Sequence, residues 1–443
     1  MNLVYGIKDK PKFGQMLVFA FQQVLAILAA TIAVPAIVGN GMSASAALFG
    51  AGVGTLVYQL FTKFNSPVFL GSSFAFIGPM CTAFAGAVSA SAGFAGIILG
   101  AILAGLVYVV IAAVVKFAGV KWINKLMPPV VIGPTVALIG LSLAGAAIND
   151  VFSYGEKTTF GTSSYFIMNA TTWSSLICAM VTLFVVVLVS TYGKKITKLI
   201  PFIIGILAGY VVAAIFTICG IPVIDFSLFQ NMKIFAVPEF TFLEAAKGVK
   251  DINLSYIVTV IVAYVPVAFV VFAEHLADHK NLSSIIGAEL LEDPGLHRTL
   301  LGDGVGSLAG AIFGGCPNTT YGESVGCVAI TRNASVITVT TAAIMCIIIS
   351  FFGPFVAFLD SIPGCVMGGV CVTLYGFIAV SGLKMIQKVD LGQNKNLFVV
   401  ASILIPGIGG MAMDIGNVYI SNIACALILG IIINVLLNKA KEE

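Results

Sequence analysis

CPNTTYGESVGCVAITR (316–332) is the stretch on which the architecture turns. It lies between two long hydrophobic runs, opens on a proline, holds a few residues of extended composition, and becomes helix-like at Gly322. SPVFLGSSFAFIGP (66–79) is built the same way around Gly71. Where a helix is interrupted at membrane depth, its backbone N–H and C=O groups lose their partners and must be satisfied by protein, water or ligand. A helix beginning at Gly71 or Gly322 would aim its positive end at whatever sits between the two breaks. Such broken segments at corresponding positions of two halves point to a transporter's binding site.

The surroundings are those of a membrane protein. Of the 443 residues, 59% are hydrophobic and 9% charged, which excludes a soluble domain. Apolar runs long enough to cross a ~30 Å hydrocarbon core occur near 13–36, 43–62, 92–117, 130–149, 173–192, 199–219, 254–273, 299–315, 334–352, 364–383, 397–413 and 419–438. With the interrupted segments 67–84 and 317–331 they predict an all-α polytopic protein of fourteen spans. The start, MNLVYGIKDKPKFGQ, is polar and basic, and the apolar run behind it is too long for a signal-peptide core, so it reads as a retained anchor.

Charge placement supports that count. With a cytoplasmic N-terminus, fourteen spans leave only Lys157, Lys233, Lys247 and Lys250 outside, and put the C-terminus in the cytoplasm too. The other Lys and Arg residues, among them Lys116, Lys121, Lys125, Lys195, Lys280, Arg298, Lys439 and Lys441, face the cytoplasm, a strong positive-inside bias. The net charge of +3 reflects orientation, and no basic patch suggests nucleic acid. The nine cysteines lie in or beside apolar segments without paired spacing, which favours buried packing.

A second echo follows each broken segment. MPPVVIGPTVALIG (127–140) and IPGCVMGGVCVTLYG (362–376) share Pro, Val and Gly at 128/363, 131/366 and 133/368. Seven spans precede the outside loop near 221–253 and seven follow, so the repeat is inverted. Two carboxylates stand inside apolar stretches: Glu274, at the end of the run YIVTVIVAYVPVAFVVFAE, and Glu323, just after PNTTYG. A carboxylate at membrane depth costs several kcal/mol unless it faces the protein interior or a wet cavity.

The stretch DPGLHRTLLGDGVGSLAGAIFGGCPNTTYGESVGCVAITR (293–332), with AEHLADH, LGSSFAF, Gln22-Gln23 and IPGCVMGG, resembles the nucleobase–cation symporter family, also called nucleobase–ascorbate transporters. Within it TYGE is most similar to the bacterial uracil-transporting members. The resemblance covers essentially the whole chain. It implies two inverted seven-span repeats, with core segments 13–117 and 254–352, gate segments 121–220 and 360–438, and usually a homodimer. It also implies short antiparallel strands in spans three and ten, in agreement with the extended pieces at 67–70 and 317–321. By the same resemblance Glu274 and Glu323 hold the base, Phe74 supplies an amide and a stacking surface, and Gly322 supplies a second amide. Tyr321 sits beside Gly322, and Ala30 contacts the ring. Uracil alternates N–H donors with carbonyl acceptors, so it asks for carboxylates and backbone N–H groups in one plane.

Three positions depart from the family pattern. Gln23 replaces a histidine, Ser324 an asparagine, and Asp278 the histidine of uracil-type members, a place where purine-type relatives often carry aspartate. Asp278 lies one turn from Glu274 on one helix face, so the two form a coupled pair suited to proton transfer. The expected activity is proton-coupled uracil import by alternating access in the cell membrane, with H⁺ co-transported and no cofactor. The alternatives are a purine (xanthine or uric acid) symporter of the same fold and a Na⁺-coupled pyrimidine symporter. More remote is an intramembrane metalloenzyme using His275, His279 and Asp278. HLADH lacks the glutamate of HExxH, so a packing role for the histidines is the better reading. Asp303 is expected to brace the core and Asp414 to lie at a span end. Glu274→Gln or Glu323→Gln should abolish or sharply weaken nucleobase uptake into vesicles; normal uptake by either variant would remove that residue from the site.

Overall fold

The computed structural model describes residues 3–119, 128–160, 163–194, 197–230, 232–415 and 419–437. Lys121, Lys125, Lys195, Lys439 and Lys441, used above to orient the chain, lie outside these residues, as do Met127 and the gate boundaries 121 and 438. The fold is predominantly helical. Among the described residues, eight helical stretches are long and apolar enough to cross a membrane. They are α1 (Phe13–Val38), α2 (Ala44–Phe61), α4 (Ala90–Ala118), α5 with α6 (Pro129–Ser142 and Ala144–Val151), α7 (Ala170–Tyr192), α8 (Pro201–Ile218), α10 (Leu254–Ile286) and α15 (Gly364–Ile386). Between or beyond these lie α3 (Ile77–Ala85), α9 (Thr241–Gly248), α11 (Leu296–Gly314), α12 (Gly322–Thr331), α13 (Val336–Ser350), α14 (Gly353–Asp360), α16 (Asn394–Ile408) and α17 (Asn422–Leu437). Of them, α13, α16 and α17 are shorter apolar helices.

Local chemistry sets many of the helix starts. Ser43, Ser89, Asn169 and Asn253 each accept a bond from the backbone N–H three residues on, which opens α2, α4, α7 and α10. Pro128 and Pro363, the echoed prolines, both stand at an N-cap in extended conformation, before α5 and α15. Those two helices pack against each other with their glycines at the contact: a Cβ on Gly133 would come within 3.2 Å of the Gly382 carbonyl.

The broken segments pair. β1 (Leu70–Ser72) runs antiparallel to β4 (Asn318–Thr320), with Leu70 opposite Thr320, Gly71 opposite Thr319 and Ser72 opposite Asn318. The ladder continues as Ser73 N–H donates to Pro317 O (2.9 Å) and Tyr321 N–H to Phe69 O (3.3 Å). Thus backbone groups freed by one break are satisfied by the other. Two exposed-side ribbons, β2–β3 (Lys157–Phe160 and Ser163–Phe166) and β5–β6 (Met413–Asp414 and Tyr419–Ile420), were not anticipated.

Three expectations are corrected. Gly71 does not begin a helix: it is the centre of β1, and α3 starts only at Ile77. Pairing with Thr319 of β4 holds Gly71 extended, and its lack of a Cβ leaves room for the Tyr321 ring that lies over it. Glu274 does not end its helix, because α10 continues to Ile286 and stops at Gly287 in the left-handed conformation (φ 69°). His275, His279, Leu282, Ser283 and Ile286 carry its buried face onward. Finally, Cys81 and Cys219 are exposed, whereas the other seven cysteines are buried; all nine are free thiols.

The strand pair is seated by helices that meet almost backbone to backbone. A Cβ on Gly50 of α2 would stand 2.8 Å from the Gly310 carbonyl of α11, and one on Gly54 would stand 2.7 Å from that of Gly306. Asn318 fills the space between them and donates from Nδ2 to Gly50 O (3.0 Å). Gly50→Ala should therefore lower the melting temperature of the purified protein, by an overpacking cost of about 1–3 kcal/mol. Gly145→Ala, whose Cβ would meet nothing within 4 Å, should leave it unchanged or raise it.

Candidate functional site

A cavity of about 460 Å³ opens where β4 hands over to α12. Its size falls in the ~300–1,000 Å³ range of small-molecule sites. Its wall has two kinds of surface. The polar groups come from β4, the start of α12, the turn after β1 and α10: Thr320, Gly322 and Glu323, Phe74, Glu274 and Asp278. The facing wall comes from α5, α8 and α15 and is apolar save for Ser381, with Ile132, Phe202 and Phe377 representative.

Of the residues expected at the site, Glu274, Asp278, Glu323, Phe74, Gly322 and Tyr321 all line this cavity. Ala30 does not: it is buried within the packing of α1, with Tyr321 and the partly buried Phe74 in the same apolar cluster. Gln23 and Ser324 lie behind the wall rather than in it, both buried.

On α10 the cavity-facing residues are Val270, Ala273, Glu274, Ala277 and Asp278, a strict i, i+3, i+4 progression. Glu274 projects into the open space, and among the described residues neither it nor Glu323 is paired with a cation. Asp278 is anchored instead. The Thr320 hydroxyl donates to its Oδ2 at 2.7 Å, fixing the carboxylate to β4. Thr320 is a residue that sequence reasoning passed over; its place in TTYGE, next to the expected Tyr321, was the available signal.

Backbone that follows each break lines the same cavity, at Phe74 and at Gly322. Gly322 and Glu323 open α12, whose first N–H groups have no intrahelical acceptor. A Cβ on Gly322 would stand 4.0 Å from Asp278 Oδ1, so the positive start of α12 lies close to that carboxylate. Phe74 follows β1, and its ring meets Tyr375 of α15 edge-on at 6.4 Å. Tyr321 is turned back over β1: its hydroxyl donates to Ser72 O at 2.7 Å, and its ring lies over Gly71.

The adjoining face of α10, one residue round from the carboxylates, is fastened to the neighbouring helices. His275 Nδ1–H donates to Asp303 Oδ2 (2.7 Å), and its Nε2 lies 3.0 Å from the Thr299 hydroxyl. His279 Nδ1 donates to the His275 carbonyl (2.8 Å), leaving Nε2 to accept from Tyr58 OH (2.7 Å). The two imidazoles stack at 4.0 Å, and both are fully buried. These histidines bind α10 to α11 and α2. Asp303 is tied into that core, and exposed Asp414 stands in β5 past the end of α16.

Gln23 and Ser324, two of the three departures from the family pattern, are bonded to each other. Gln23 Nε2 donates to Ser324 Oγ, which also accepts from Phe69 N–H at 3.3 Å. One serine thus joins α1, the approach to β1 and the first turn of α12.

A sequence profile described as a permease family matches residues 14–416. The chain belongs to that family. The chain is 39% identical over 442 residues to the uracil permease of Bacillus subtilis, covering 99% of this chain and 96% of the relative. It is 38% identical to the uracil permease of Bacillus caldolyticus, covering 98% and 94%. Against the uracil permease of Escherichia coli K12 the figures are 33%, 96% and 92%. Among solved structures, the transmembrane domain of a cyanobacterial bicarbonate transporter shares the fold, with TM-score 0.61 at 15% identity, covering 97% of this chain and all of that one. The murine anion transporter Slc26a9 in its inward-facing state gives TM-score 0.66 at 13% identity, covering 97% and 69%. This permease is therefore a multi-pass membrane transport protein and not an enzyme.

The Gln23–Ser324 bond is open to a double-mutant cycle. Gln23→Ala and Ser324→Ala should each destabilise the permease, and the double variant should lose less than the sum, with a coupling of about 0.5–3 kcal/mol. Strict additivity of the melting shifts would show that the bond contributes nothing.

Proposed function

We propose that this permease imports uracil with a co-transported proton, by alternating access across the cell membrane. One observation carries the reading: Glu274 and Glu323 face one cavity beside the first residues of α12. That set offers acceptors to the N–H groups of uracil and donors to its carbonyls. The names of relatives that match nearly the full chain support the same cargo.

In this reading Glu274 and Glu323 hold the base, Phe74 covers its face, and Gly322 gives an amide. Tyr321 shapes the floor, Ala30 backs it, and Gln23 with Ser324 braces it. Glu274 and Asp278, one turn apart, share the coupling proton. With a proton aboard, the loaded carrier moves without an unpaired charge; its loss toward the cytoplasm loosens the grip on substrate. No further cofactor is required. The fourteen spans form two inverted seven-span repeats, supported by the β1–β4 pairing and by the equivalent N-caps Pro128 and Pro363. Segments 13–117 and 254–352 move as a core against a gate of 121–220 and 360–438. The division of the cavity wall into polar and apolar halves supports that partition. The working form is a homodimer with both termini cytoplasmic.

A purine cargo is the second reading, favoured by Asp278 in place of histidine. Radiolabelled uracil uptake by proteoliposomes separates them. We expect accumulation under an inward proton gradient that collapses with a protonophore and resists excess xanthine or uric acid. Strong purine competition, or uptake that follows Na⁺ instead, would replace the cargo or the ion.

A further inference from the structure

A second cavity, of about 420 Å³, lies at one end of the bundle, away from the substrate site. The last turn of α4 and its Gly119 cap form one side, and the turn that leads from Leu291 into α11 forms another. The third is a separate face of α10, carrying Leu276 and Lys280 one turn apart. These two residues point away from the cavity face of Glu274 and Asp278, and away from the histidine face as well.

The lining is apolar within and cationic at the mouth. Val115, Leu276, Leu291 and Leu296 form the apolar part; Lys116, Lys280 and His297 are the basic groups, and Glu292 is the acidic one. Among the described residues no direct ion pair is formed by either lysine or by Glu292. The Lys116 ammonium lies 5.8 Å from the centroid of the Phe117 ring.

What points to an occupant is the outer face of α4. Ile102, Leu106, Val110 and Phe117 are 39%, 55%, 62% and 85% exposed, a single apolar stripe that runs along the helix and ends beside Lys116. In a membrane protein such a stripe faces acyl chains. The depth at which it gives way to unpaired lysines is the depth of headgroups. A basic pocket between spans at that level suits an anionic headgroup.

We propose that this pocket is a binding site for an anionic phospholipid. The phosphate sits between Lys116 and Lys280, and one acyl chain lies along Leu106, Val110 and Phe117 of α4. A free phosphate ester would satisfy the lysines equally but would leave the apolar stripe unused, which is why the lipid is preferred. The site does not depend on the nature of the transported substrate.

Native mass spectrometry of the full-length protein tests it, using phosphatidylglycerol as probe, phosphatidylcholine as the neutral control and sn-glycerol 3-phosphate as a soluble competitor. Phosphatidylglycerol should be retained over phosphatidylcholine. Lys116→Gln and Lys280→Gln should each reduce its retention about fivefold, and the double variant about twenty-five-fold. Glu292→Gln, which leaves both lysines in place, should increase retention and serves if the double variant does not fold. Equal retention of the two lipids, or of phosphatidylglycerol by wild type and both kinds of variant, overturns the site. Displacement by millimolar glycerol 3-phosphate would assign the pocket to a soluble anion and overturn the lipid.

Discussion

Every backbone polar group buried within a membrane has to find a partner, and in this permease the hardest case is solved by pairing two breaks with each other. β1 and β4 come from segments almost 250 residues apart, yet their register is closed at both ends by Ser73–Pro317 and Tyr321–Phe69 bonds. Neither strand could exist alone in an apolar medium. The pairing in turn dictates what surrounds it. α2 and α11 must approach closely enough to seat Asn318, which requires Gly50, Gly54, Gly306 and Gly310 at the contact. Gly71 must be bare because the Tyr321 ring crosses it.

The same frame fixes the rotation of α10. A helix with carboxylates on one face could turn them toward lipid or protein, and here the buried histidines settle which. Bonds from His275 to Asp303 and from Tyr58 to His279 hold the adjoining face against α11 and α2. Glu274 and Asp278 then have no direction left except the cavity. Asp278 is restrained once more by Thr320, so a side chain of α10 and a strand of the crossing are joined at the edge of the site. The geometry of the carboxylates is thus set by groups that face the protein rather than the cavity.

The cavity wall is correspondingly uneven. Its polar groups sit on elements tied to the strand crossing, while α5, α8 and α15 present mainly hydrocarbon. Contacts of the second kind are non-directional and can slide or part without orphaning a hydrogen bond. That difference is the physical basis for the proposed motion of a polar core against an apolar gate. The Gln23–Ser324 bond lies wholly on the polar side, where it ties α1, the approach to β1 and α12 together.

The amino-acid sequence by itself determined the membrane class, the two broken segments, the echo at Pro128 and Pro363, and the carboxylates at Glu274 and Glu323. All of these are recorded in hydropathy, in proline and glycine placement, or in a charge within an apolar run, which are local properties. It placed the first strand a few residues early, the second where it lies, and ended α10 at Glu274, because apolar content fades there while the helix is continued by polar residues buried against distant partners. Only the tertiary structure decided that Gly71 lies in a strand, that Gln23 and Ser324 answer each other, and that Thr320 holds Asp278. Each of those depends on contacts between residues 40 to 300 positions apart, made only once the strands have crossed.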